Sequence, residues 1–296
     1  LLISLLARGH CLLTGIPGLG KTLLVKTLAN CLTLGFKRIQ FTPDLMPTDV
    51  LGTEVVDEDP NGGKLSFRFV PGPIFSQVVL ADEINRAPAK VQSALLEAMA
   101  ERQITVGNKT YKLSDLFLVM ATQNPLEQEG TYPLPEAQLD RFLMHVEITY
   151  PNAESELEIL RLTRNEAKKN AKVVAPTITQ STIFAARQDV LSLHLATTLE
   201  EYIVQLIMAT RSPVTYSQEL GAAIEFGASP RATISLERCA RAHAWLAGRD
   251  FVGPDDIQAV YHNVMRHRII LSYEAMAEGK SANQILTQIL TAVPVP

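Results

Sequence analysis

The octapeptide Gly15-Ile16-Pro17-Gly18-Leu19-Gly20-Lys21-Thr22 brackets four residues between glycines and then supplies a lysine and a hydroxyl. That order of residue types suits a polyphosphate. Glycines let backbone N–H groups close around an anion, and a helix beginning near Gly20 adds the positive end of its dipole. Lys21 reaches the outer phosphates, and the Thr22 hydroxyl suits Mg²⁺. Gly15, Pro17, Gly18, Leu19, Gly20, Lys21, Thr22 and Leu23 are therefore the candidate contacts to a nucleoside triphosphate. The second candidate is the acidic pair Asp82-Glu83, which ends the apolar run Gln77-Val78-Val79-Leu80-Ala81. Asp82, with Thr22, would serve the metal and its water shell, and Glu83 would act as base on an attacking water. Asn124 ends another apolar run; its amide suits an attacking water or a terminal phosphate, although Asn before Pro is also a turn former. Arg141 reads either as a surface ion-pair residue or as an arginine finger. Ser229-Pro230-Arg231 opens a helix with a cap, a first-position proline and a cation in the first turn. That cation opposes the helix dipole, and a bound phosphate would be one reason for it.

These groups need elements to position them. Cys11-Leu12-Leu13-Thr14 is a buried-strand run leading into the glycine loop, and Leu23, Leu24, Val25 and Leu28 recur at helical spacing after it. The spacing predicts a helix from about Gly20 to Leu32 and a strand at Lys37–Phe41. Thr42-Pro43-Asp44-Leu45-Met46-Pro47-Thr48-Asp49 reads as a break in regular structure. Thr53–Val56 and Leu65–Phe69 flank Asn61-Gly62-Gly63, and Gln103–Leu113 alternates around a Gly-Asn turn, so two hairpins are expected. A strand ending in two acids places carboxylates at the carboxyl edge of a parallel sheet, where α/β proteins bind ligands. Leu116–Ala121 and His145–Tyr150 supply further strands, and Leu134–Phe142 a short helix that begins at a proline.

The chain has 296 residues, which favours two domains: an α/β nucleotide-binding domain over 1–150 and an α-helical domain over 151–296. In the second, Glu154–Asn170, Thr182–Arg211, the segment from Ser229 to Gly248 and that from Pro254 read as helices, with 172–181 as a linker. Net charge is −4, which argues against a dedicated nucleic-acid binder, and the one dense basic run, Arg266-His267-Arg268, is too short for an electrostatic footprint. Cys11, Cys31 and Cys239 lack metal-ligand spacing and read as buried thiols of a reducing, cytoplasmic compartment. No apolar run reaches membrane-spanning length. The leucine-rich start runs through Arg8-Gly9-His10 straight into the glycine-loop strand, and reads as part of a helix rather than as a signal peptide.

In this order and spacing, GIPGLGKT, VVLADEINRAP, ATQNP, LPEAQLDRF and GASPR resemble a MoxR-type AAA+ ATPase over nearly the whole chain. The resemblance implies a P-loop AAA+ core with a parallel five-stranded sheet, an all-α lid, and ATP and Mg²⁺ as cofactors. It assigns Lys21 and Thr22 to nucleotide and magnesium, Asp82 to magnesium, Glu83 to water activation, Asn124 to sensor 1, Arg141 to the arginine finger and Arg231 to sensor 2. The hairpins near 51–72 and 103–113 match the helix-2 insert and the pre-sensor-1 hairpin. The family further implies a homo-oligomeric ring, a hexamer, with ATP between subunits, and a chaperone-like role beside partners carrying von Willebrand factor A domains. The adenine-contacting segment lies upstream in the family, so no residue is assigned to the base. Three other readings stand beside this one. The first, a nucleotide-binding scaffold that does not hydrolyse, would suit a chain in which Glu83 or Arg141 were replaced, whereas both are present. A nucleic-acid motor would use Lys109 and Lys112 at a hairpin, against the acidic net charge. A GTP switch lacks its base-reading signature, because Asn108-Lys109-Thr110 is followed by Tyr111.

Overall fold

The computed structural model describes residues 1–58, 65–107, 109–125, 130–168 and 178–296. Helix α1 (Leu2–Leu6) leads into β1 (Cys11–Thr14), whose exit carries the glycine loop into α2 (Lys21–Cys31). Strand β2 (Phe36–Gln40) is followed by α3 (Pro47–Leu51), which interrupts the break expected at 42–49. Pro47 sits at its first position, and the Asp49 carboxylate accepts the Met46 N–H at 2.8 Å, so a short helix pays its initiation cost locally. The first hairpin is β3 (Gly52–Glu58) with β4 (Leu65–Pro71); its expected Asn61-Gly62-Gly63 turn lies outside the described residues. Then come β5 (Val78–Asp82), α4 (Ala89–Glu101) and the second hairpin, β6 (Gln103–Val106) with β7 (Lys109–Lys112). Gly107 turns that hairpin with φ +58°, while Asn108 lies outside the described residues. Strand β8 (Leu118–Gln123), helix α5 (Glu136–Leu139) and β9 (Met144–Glu147) complete the α/β half.

The sheet order is β2-β5-β8-β1-β9, with every pairing parallel. Both faces are covered, and strict alternation divides the side chains between them. Leu12, Val79, Ala81, Val119 and Ala121 pack with Val91, Leu95 and Met99 of α4. Cys11, Leu13, Val78, Leu80, Leu118 and Met120 face the other way, in one cluster with α2 and with the helices of the second half. Because β1 runs between β8 and β9, the loops after β1, β5 and β8 emerge side by side at one carboxyl edge.

The second half contains α6 (Ala153–Lys168), α7 (Gln180–Ser192), α8 (Thr197–Arg211), α9 (Gln218–Ala223) and β10 (Ile224–Phe226). It continues through α10 (Pro230–Leu246), α11 (Pro254–Met265), β11 (Ile270–Leu271), α12 (Tyr273–Ala277) and α13 (Ala282–Ala292). Strands β10 and β11 form a two-residue-wide antiparallel pair, so among its described residues this lid is helical apart from that pair and an isolated parallel bridge between His194 and Phe251. The expected linker ends earlier than 181, because Thr179 caps α7 by accepting the Thr182 N–H; residues 169–177 lie outside the description. Gly253 caps α11 without a side chain of its own, and the Asp256 carboxylate compensates by accepting the Gly253 N–H at 2.9 Å. Among the described residues no helix is long and apolar enough to cross a membrane.

The two halves meet along a polar seam. The run Arg266-His267-Arg268 lies in that seam: Arg266 pairs with Glu147, His267 bonds the Phe142 carbonyl at 3.0 Å, and Arg268 is 7% exposed. Helix α1 packs against α7 and α10, and Arg187 of α7 donates to the Leu5 carbonyl through Nε and Nη2 at 3.0 and 2.7 Å.

Candidate active site

Gly18 and Gly20 adopt φ +88° and +71°, and a Cβ at either would meet nothing within 4 Å. The demand for glycine there is conformational, not steric. Gly15 differs: its built Cβ would stand 2.7 Å from the Ile148 carbonyl oxygen, so glycine permits the close approach of the chain after β9. Lys21 folds back to donate to the Gly15 carbonyl and, at 2.9 Å, to the Ile16 carbonyl. Partial burial lowers its pKa, opposed by the charges of Asp82 and Glu83. Both acids thus face the ammonium across the mouth of the loop.

A cleft of about 410 Å³ opens here. Pro17, Gly18, Leu19, Gly20, Lys21, Thr22 and Leu23 line one side, and Asp82, Glu83, Thr122, Gln123 and Asn124 the other. Gly15 does not line it. The Thr22 hydroxyl donates to Asp82 Oδ2 at 3.3 Å, so the two candidate metal-binding groups already share one locus. Among the described residues no cluster of three or more His, Cys, Asp or Glu side chains could hold a metal alone. A hydroxyl and one carboxylate suit Mg²⁺, which keeps waters and takes phosphate oxygens as its remaining ligands.

One residue absent from the sequence-based candidates organises the acids. Thr122, fully buried in β8, donates to Asp82 Oδ1 at 2.5 Å and accepts the Glu83 N–H at 2.9 Å. That second bond holds Glu83 at φ +58°, a left-handed conformation costing a non-glycine residue on the order of 1 kcal/mol. The Glu83 carboxylate accepts from Gln40 Nε2 at 2.7 Å and pairs with Arg86 at 3.2 Å. Arg38 pairs with Asp82 Oδ2 at 2.7 Å. Arg38 and Gln40 stand two apart on β2, and the register Gln40↔Asp82 brings them to the acidic edge. Two polar residues at i and i+2, on the same face of a strand in which Ile39 alone is buried, were the available signal. Asn124 is 5% exposed and lines the same cleft.

Arg141 and Arg231 do not line this cleft. They lie together in a second one of about 360 Å³, beside Arg8, Arg102, Arg238 and Arg268. Arg141 donates through Nη1 to the Leu96 carbonyl of α4 at 2.7 Å. Arg231 approaches Asp140 at 3.6 Å, so the cation in the first turn of α10 has a carboxylate partner and needs no phosphate to explain it. Asp140 is the junction of this region. It accepts Arg268 Nε at 2.9 Å on Oδ1 and the Ser229 hydroxyl at 2.8 Å on Oδ2. The residue that precedes Arg141 is thus held by the lid on both carboxylate oxygens.

Comparisons with known proteins agree with this architecture. The ATPase family associated with various cellular activities (AAA) matches residues 10–144, and the AAA lid domain matches residues 219–289. The chain is 42% identical to Chaperone MoxR1 of Mycobacterium tuberculosis over all of its own length and 77% of that protein. It is 35% identical to Protein MoxR of Paracoccus denitrificans, covering 90% of that chain. A crystal structure from Cytophaga hutchinsonii, of a protein provisionally named an ATPase, superposes with a TM-score of 0.89 at 48% identity, over all of this chain and 88% of the other. With the glycine loop, the acidic strand end and the helical lid in one continuous match, the chain belongs to the MoxR family of AAA+ ATPases.

Proposed function

We propose that the chain hydrolyses ATP with Mg²⁺ at the cleft between the glycine loop and the β5 and β8 edges, and that it does so as a ring, a hexamer. The observation that carries this reading is the separation of its parts. Glu83 and Asn124 share the cleft of Lys21, whereas Arg141 and Arg231 share a different one. Arginines that cannot serve their own subunit's phosphate are suited to a neighbour's, which couples turnover to subunit contact.

In this mechanism Lys21 leaves the Gly15 and Ile16 carbonyls for the outer phosphates, and Gly18 and Gly20 hold the loop open to them. Mg²⁺, held by Thr22 and, through water, by Asp82, would neutralise charge on the phosphate oxygens. Glu83 takes the proton of the attacking water once Gln40 and Arg86 release its carboxylate, and Asn124 orients that water. Arg141 and Arg231 of the adjoining copy stabilise charge on the transferring group. Loop 15–23 is the nucleotide-contacting segment, with the division between catalytic core and lid near residue 150.

We place the work of this cycle in chaperone-like remodelling or maturation of protein complexes, in the cytoplasm, beside a partner with a von Willebrand factor A domain. The name Chaperone MoxR1 carried by a full-length relative supports the chaperone part, and the three free cysteines support a reducing compartment. The test is Glu83→Gln. It should retain ATP binding while turnover falls by at least a hundredfold, in keeping with the loss of a general base. Unchanged hydrolysis would remove Glu83 from the mechanism.

A further inference from the structure

A cavity of about 220 Å³ lies at the joint between the α/β half and the lid, near the amino end of β1 and apart from the glycine loop. Its lining draws on four elements: Arg8 from the turn after α1, Arg102 from the end of α4, Arg187 from α7, and Arg238 and Arg241 from α10. Among the described residues no Asp or Glu lines it. Arg241 is neutralised by Glu237. The other four make no ion pair within 4 Å among the described residues, although the Asp115 carboxylate acts on Arg102 from farther away. Arg102 donates from Nη1 and Nη2 to the Asp115 and Arg8 carbonyls, and each of those nitrogens carries a second N–H.

Arg187 is the most constrained of them. It is 4% exposed, and although Nε and Nη2 donate to the Leu5 carbonyl, Nη1 has no partner. A buried donor left unmade costs stability, and a buried cation without a counter-charge costs more. Burial first, and then the charges of Arg8 and Arg102, push the Arg187 pKa down to about 10. Arg8 and Arg102 both hold left-handed backbone, φ +57° and +53°, and so direct two further guanidinium groups to the same place at a conformational cost.

We propose that this cavity is an anion site for a phosphate-class ligand, which fastens the lid to the α/β core. Planar guanidinium forks match phosphate oxygens. A carboxylate offers two oxygens in one plane and a single charge, whereas the donors here converge from four separate elements. A tetrahedral, multiply charged anion satisfies that arrangement, with Arg8 and Arg102 on the core side and Arg187 and Arg238 on the lid side. The site adjoins the cleft of Arg141 and Arg231, with which it shares Arg8, Arg102 and Arg238. Occupancy therefore stiffens the platform that holds those two arginines.

The ligand's phosphate can be free or part of a nucleotide, and one experiment separates these sources. Lys21→Ala, in the full chain, removes the glycine-loop site. Its melting temperature is followed with pyrophosphate, with ADP, and with NaCl at matched ionic strength. At about 100 times its dissociation constant, pyrophosphate should raise the melting temperature by about 5–11 °C. Adding Arg8→Gln and Arg238→Gln, both exposed side chains, should abolish that rise. Where the triple variant melts too low to measure, Lys21→Ala/Arg238→Gln reads the same loss. An equal rise with ADP identifies a nucleotide phosphate as the ligand, and a rise with pyrophosphate alone identifies the free anion. No rise above NaCl in Lys21→Ala, or the same rise after the arginines are replaced, would overturn the proposal.

Discussion

Arg268→Met tests whether the seam between core and lid is held by charge. The Arg268 side chain is 1% exposed, against 16% for Asp140. It donates to Asp140 Oδ1 at 2.9 Å, the Phe142 carbonyl at 2.6 Å, the Leu143 carbonyl at 3.1 Å and Ser235 Oγ at 3.2 Å, and also to the Val264 carbonyl. Methionine keeps much of the apolar stem and removes every donor. Breaking a buried pair from one side costs about 3–5 kcal/mol, because the remaining charge is stranded. Asp140 retains the Ser229 hydroxyl, the Arg231 guanidinium at 3.6 Å and some solvent, so the lower end, about 3 kcal/mol, is expected. At roughly 2–4 °C per kcal/mol, the melting temperature should fall by about 6–12 °C. Urea unfolding followed by circular dichroism gives the free energy directly. A cycle with Asp140→Asn then isolates the pair: if stranded charge is the cause, the double variant should lose about 1–3 kcal/mol less than the sum of the single losses. A loss below about 1 kcal/mol for Arg268→Met, or strict additivity to within about 0.5 kcal/mol, would refute the argument.

Two other outcomes are expected. Arg141→Ala should slow ATP turnover about a thousandfold, and mixing it with Lys21→Ala should restore part of the activity, since each supplies the half-site the other lacks; a mixture no faster than its components would exclude action across a subunit boundary. Stability should also fall in mild acid. His10 is held neutral, with its pKa pushed down to about 4 chiefly by burial, and His145 is pushed to about 4 for the same reason. Unfolded histidine protonates near 6.5, so the unfolded state takes up the extra protons and stability drains away as pH falls from about 6.5 toward 4. By pH 5 the loss is about 2 kcal/mol for each histidine, read as a falling urea midpoint. A midpoint unchanged between pH 7.5 and 5 would contradict it.

The sequence made the first cleft legible because its requirements are local. Positive φ at Gly18 and Gly20, a strand that ends in Asp82-Glu83 and a helix that starts at Lys21 are each written within a few adjacent residues. Parallel pairing then follows from short apolar runs alternating with helices, and the lid from helical periodicity and the Ser229 cap. The positions of Arg141 and Arg231 could be found in the same way, but not their surroundings.

Those surroundings belong to tertiary structure, since each partner comes from a distant part of the chain. Asp140 and Arg268 are 128 residues apart, and Thr122 lies 40 residues beyond the Asp82 it holds. In the sequence Arg266-His267-Arg268 was the only dense basic run, yet folding turns it into an internal seam. Arg8, Arg102, Arg187 and Arg238, which are scattered along a chain of net charge −4, are instead brought to a single cavity. Composition sums charge over the whole chain, whereas a binding site depends on which charges packing places together and which counter-charges it leaves out. The amino-acid order therefore determined the phosphate loop, the acidic pair and the fold that presents them. Only the packing of lid on core decided what the arginines face, because electrostatic and hydrogen-bonding partners are chosen by distance in space.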